Sequence, residues 1–118
     1  METKPTKLEI GSTKLKRCDL VRLSGRIDSS GAPQVEEAFR AITDFGRFRI
    51  VLDMSEVEFT SSAFLRVLIK YLKLCKRWNR GDVRLATLQP RIADVFDLAG
   101  LTPLFKIFDD VTLAVGSF

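Results

Sequence analysis

Two periods of apolar and polar residues share this chain. Phe48-Arg49-Ile50-Val51-Leu52-Asp53 is a short apolar run suited to a buried strand. Just downstream, from Phe64 to Trp78, apolar residues recur at helical spacing. At about 100° per residue, Phe64, Leu68, Tyr71, Cys75 and Trp78 gather on one side of that helix. Arg66, Lys70, Lys73, Arg77 and Arg80 fall on the other, with Leu65 and Ile69 flanking the basic stripe. Between run and helix stand Thr60, Ser61 and Ser62. The pattern predicts a strand ending near Asp53, a connector through Phe59, and a helix starting at Ser61 or Ser62.

The rest of the chain follows the same alternation. Residues 1–5 read as a loose, flexible N-terminus. Lys7 to Thr13 and Arg17 to Leu23 read as two strands, joined into a hairpin by Lys14-Leu15-Lys16. A turn-prone loop, Arg26 to Gly31, leads into a helix with Pro33 in its first turn. Its inward stripe is Val35, Ala38, Phe39 and Ile42, and it ends near Phe45-Gly46. Asn79-Arg80-Gly81-Asp82 stops the long helix. Val83 to Ala86 is a strand, and Pro90 opens a helix with Ile92, Val95 and Phe96 inward, closed by Ala99-Gly100. An edge strand within Phe105 to Phe108 and a short helix capped by Asp109 or Asp110 complete the order. Strands alternating with helices predict an α/β fold: a mostly parallel four- to five-stranded sheet with an N-terminal β-hairpin and about four helices.

Composition narrows the function. A chain of 118 residues supports one domain. No apolar run reaches the roughly 20 residues of a membrane helix, and the N-terminal residues carry no apolar signal core. A cytoplasmic protein that does not engage a membrane is expected. Histidine is absent, which removes the commonest general base and metal ligand. Cys18 and Cys75 lie far apart, without a CxxC pair, and read as buried free thiols. With no Gly-rich phosphate loop and no paired-carboxylate motif, no enzyme, metal or cofactor is expected. The net charge of +4 is too small to argue for direct nucleic-acid binding.

Functional residues in such folds tend to lie in loops at the carboxyl ends of strands. Two loops stand out, Arg26 to Gly31 and Glu58 to Ser62. If they are neighbours, Asp28 comes close to Ser61 and Ser62. From the residues alone, Ser61 and Ser62 are helix caps and Asp28 is a turn or cap aspartate. The basic stripe has two readings, a solvated helix face or a docking surface for an acidic patch with Leu65 and Ile69 beside it.

Four segments in order resemble the STAS domain, and within it the single-domain anti-sigma factor antagonists of bacteria. They are Leu23-Ser24-Gly25-Arg26-Ile27-Asp28; Ile50 to Phe59; Ser61-Ser62-Ala63-Phe64-Leu65-Arg66-Val67-Leu68; and Pro90 to Leu101. The resemblance covers residues 6–116. It implies a STAS-like fold and a partner-switching role. In that role the unmodified domain binds a serine kinase that is also an anti-sigma factor. Phosphorylation of Ser62 releases it, and a serine phosphatase resets the system. ATP and magnesium belong to the kinase. By the same resemblance, Asp28, Thr60, Ser61 and Phe64 are neighbours of the acceptor, Ser61 standing where many members have aspartate and Phe64 where nearly all have glycine. Leu65, Arg66, Ile69, Lys70 and Lys73 then form the partner face. A homodimer through Leu65 and Ile69 stays open. The alternative is a non-phosphorylated STAS adaptor or scaffold in a lipid-transport or sensor complex.

Overall fold

The computed structural model describes residues 7–78 and 80–118; the loose stretch expected at residues 1–5 lies outside them, as does Asn79. Among the described residues, five strands and four α-helices follow one another, two strands first and strands and helices alternating after them. They are β1 (Glu9–Lys14), β2 (Asp19–Ile27), α1 (Ala32–Thr43), β3 (Arg49–Thr60), α2 (Ser62–Arg77), β4 (Asp82–Ala86), α3 (Pro90–Leu98), β5 (Ile107–Phe108) and α4 (Val111–Gly116). The strands lie side by side in sequence order. β1 pairs antiparallel with β2, and every later pairing is parallel. The expected architecture is the observed one.

One core fills the space between the sheet and helices α1, α2 and α3. It takes Val35 and Phe39 from α1, Phe64, Leu68 and Tyr71 from α2, and Phe96 from α3, against Leu23, Ile50, Leu52 and Leu85 of the strands. A smaller cluster of Cys18, Leu20, Val51, Ala86 and Ala114 packs α4 on the sheet. Both cysteines are buried free thiols. Burial pushes the Cys75 thiol up to about 12 and raises that of Cys18. Asp110 supplies the cap of α4, accepting from the Leu113 amide at 2.8 Å. Among the described residues no helix is long and apolar enough to cross a membrane.

Expectations about β2, β3 and α2 need correction. β2 does not end at Leu23 but runs to Ile27, taking in the first two residues of the loop expected from Arg26 to Gly31. β3 does not stop near Asp53 but runs twelve residues to Thr60. Its pairing with β2 slips twice: Arg22 faces Asp53 and Ser24 faces Glu56, then Gly25 faces Val57 and Arg26 faces Phe59. Each slip inserts one extra residue into β3, as a β-bulge does. Beyond Asp53 the buried positions are therefore Met54, Val57 and Thr60, three apart instead of two. That spacing hid the strand from a search for period two. Gly25 sits at the second slip with φ of 95°, a backbone that favours glycine.

Trp78 is not on the inner face of α2. The helix ends at Arg77, and Trp78 is its extended C-cap, half exposed and stacked on Phe48 at 6.2 Å between ring centroids. Arg80 likewise leaves the basic stripe. It stands in the turn before β4 with φ of 55°.

Candidate functional site

The site forms where β2 and β3 leave the sheet together. Ile27 pairs with Thr60 in parallel register. Asp28 and Ser61 are therefore the first residues past the ends of two neighbouring strands, which lie about 4.8 Å apart. The loop expected from Glu58 to Ser62 shrinks to Ser61, because β3 delivers the chain almost directly into α2.

The three residues that follow divide the work. Ser61 is the N-cap, in extended conformation, and its hydroxyl accepts from the Phe64 amide at 3.2 Å. Ser62 is the first helical residue and is exposed. Phe64 points into the core with none of its surface exposed. The ring is thus part of the core, and it leaves Ser62 exposed. An anion on Ser62 would sit at the positive end of a sixteen-residue helix.

Asp28 has a local task. Its carboxylate accepts from the Ser30 amide (3.0 Å), the Ser30 hydroxyl (2.7 Å) and the Gly31 amide (3.0 Å). It thereby braces the turn into α1. The Ser30 hydroxyl, then the Gly31 amide, hold its pKa below the usual carboxylate range. The turn reading of Asp28 is the observed one: its carboxylate is taken up by Ser30 and Gly31 of its own loop. Thr60 is buried, and its hydroxyl oxygen finds no hydrogen-bond partner among the described residues.

On α2, Arg66 and Lys73 are exposed, while Leu65 and Ile69 are half-buried against the core. Lys70 is bound to Glu36 of α1, which raises its pKa. Part of the basic face is therefore neutralised within the chain. Ser29, Ala32, Pro33 and Glu36 line one wall of a shallow groove, and Ala63, Arg66, Val67 and Lys70 line the other. Sequence reasoning missed Phe59 and Arg26. The Arg26 guanidinium lies 4.2 Å from the centroid of the Phe59 ring, and Phe59 is 37% exposed. Their pairing across β2 and β3 depends on both register slips, so no local pattern announced it.

Comparisons with known proteins agree on the family. The STAS domain family model matches residues 10–114. BtrV of Bordetella bronchiseptica, named as a candidate anti-sigma factor antagonist, is 31% identical over 96 residues, covering 81% of this chain and 82% of BtrV. An anti-sigma factor antagonist from Mycobacterium paratuberculosis superposes with a TM-score of 0.85 at 23% identity, covering 98% of this chain and 97% of that one. SpoIIAA of Bacillus in its phosphorylated form superposes at 0.73 with 18% identity, covering 92% and 98%.

Proposed function

The chain belongs to the STAS domain family, and from that premise we propose that it is an anti-sigma factor antagonist switched by phosphorylation of Ser62. Unmodified, it binds an anti-sigma factor that is also a serine kinase, through the mouth of α2 and the face bearing Leu65, Arg66, Ile69, Lys70 and Lys73. Phosphorylation ends the complex, and a serine phosphatase restores the binding form. The protein acts in the cytoplasm and catalyses nothing itself.

One observation carries this reading: Ser61 caps the helix while Ser62, beside it, is exposed. A phosphate adds about −1.5 to −2 charge and three strong acceptors. On Ser62 it meets the helix dipole and first-turn amides, and it disturbs no packed side chain. Arg66 lies one turn along, on the same helix face as Ser62. The fold survives and the surface changes sign. A partner surface shaped for a hydroxyl then has to desolvate bulk and charge.

The test is incubation with the cognate kinase and ATP, followed by mass mapping and binding assays. One phosphate on Ser62, its loss in Ser62→Ala with binding retained, and weaker binding by phosphorylated protein are expected. A phosphorylated protein that holds the kinase as tightly as the unmodified one overturns the switch.

A further inference from the structure

The end of the molecule opposite Ser62 carries a second surface. Strand N-termini and helix C-termini meet there, separated from Ser62 by α2, whose sixteen residues span about 24 Å. A cleft at this end is lined by Lys16, Arg17, Asp19, Gly46, Arg47 and Phe48. The Arg47 guanidinium donates to Asp19 and to the Leu15 and Cys18 carbonyls (2.6 and 3.1 Å), so it holds the cleft's shape and neutralises its carboxylate. Lys16 and Arg17 are exposed at the rim, Arg17 donating to the Phe118 carbonyl at 3.2 Å, and Arg77 and Arg80 are exposed where α2 ends at the same pole. The same pole carries two exposed aromatics, Phe45 (86%) just after α1 and Trp78 (51%) at the end of α2.

Gly81, just before β4, is tightly placed. A Cβ on Gly81 would lie 2.2 Å from the Phe48 carbonyl oxygen and 2.4 Å from that of Cys75, so only glycine fits. Trp78 is stacked on Phe48, and Arg80 holds a left-handed backbone where glycine or asparagine is the ordinary choice. Arginine and tryptophan are the residue types that make binding hot spots, and here both stand exposed at the end of α2.

We propose that this pole is a second docking surface, for an acidic, apolar-studded segment of a protein partner. Guanidinium groups at the rim match carboxylates, and Phe45 and Trp78 offer apolar contact beside them. A polynucleotide fits less well. Asp44 interrupts the positive surface, and Phe48 and Trp78 face each other and so have no free faces between them for bases. The surface is independent of the state of Ser62, so the domain holds one partner while switching another.

Trp78 is the sole tryptophan and reports on this pole directly. The full chain is titrated with a short peptide alternating glutamate and leucine. The lysine counterpart of that peptide and poly(U) serve as comparison arms. Saturable change in Trp78 emission with the glutamate peptide alone, weakened by salt, is expected. Arg77→Glu with Arg80→Glu lowers affinity about tenfold, and Arg80→Gly lowers it about threefold, the scale of a lost rim ion pair. Arg80→Gly relieves the backbone strain, so its thermal midpoint stays at or above wild type and weaker binding cannot be put down to misfolding. Ser62→Asp binds the peptide as wild type does. Equal binding of the lysine peptide, tighter binding of poly(U), no saturable change, or unaltered affinity in both arginine variants overturns the proposal.

Discussion

The Phe64 amide donates to the Ser61 hydroxyl at 3.2 Å while the Phe64 ring lies wholly inside the core. One residue thus ties the helix cap to the packing beneath it. The ring takes up volume in the core while Ser62 stays exposed.

Replacing Phe64 therefore acts on stability. Phe64→Ala leaves a cavity in the main core and should cost about 3–5 kcal/mol, read from denaturant melts. Phe64→Gly should cost about 1 kcal/mol more, from helix propensity. A loss below about 1 kcal/mol in either variant contradicts the buried position.

The two serines should separate cleanly. Ser61→Ala removes the cap and is expected to lower stability by about 1 kcal/mol while Ser62 is still phosphorylated. Ser62→Ala should change stability by less than about 0.5 kcal/mol and abolish the modification. The paired measurement is a urea melt with phosphopeptide mapping.

Thr60 offers the opposite sign. Its buried hydroxyl lacks a partner among the described residues, and an unmade buried hydrogen bond costs about 1–3 kcal/mol. Thr60→Val should raise the urea midpoint, with a gain of about 1 kcal/mol. A lower midpoint would mean that the hydroxyl is satisfied in solution.

Glu36 and Lys70 tie α1 to α2 at an exposed position. Glu36→Gln should cost less than about 1 kcal/mol of stability. It also frees the Lys70 charge, so association with an acidic partner at low salt should quicken. Arg66→Glu should slow it, measured by stopped flow.

The thiols give a pH dependence. In the unfolded chain Cys75 loses its proton near the ordinary thiol value of about 8.5, and in the fold near about 12. Above the first value the native state holds more protons than the unfolded state, so stability falls as pH rises through this window. Lys70, raised by its bond to Glu36, adds to the loss at its alkaline end. At pH 8 a thiol reagent should react with neither cysteine in the native protein and with both in denaturant.

What the sequence determined by itself was whatever short-range chemistry decides. Runs of β-formers, three-to-four spacing of apolar residues, Pro33 and Pro90 in first turns, and a serine ahead of α2 each act within a few residues, and together they announced the α/β order and the serine at the helix mouth. Tertiary structure decided what depends on pairing between distant strands and helices. Two bulges extended β3 to Thr60 and set Arg26 over Phe59. Glu36 reached across from α1 to occupy Lys70. Trp78 stacks on Phe48 outside the helical pattern, and Gly81 packs close to the Phe48 carbonyl where the chain turns into β4. Register and turn geometry are set by the partner strand and the packing surface, and neither is written in the local period of a single segment.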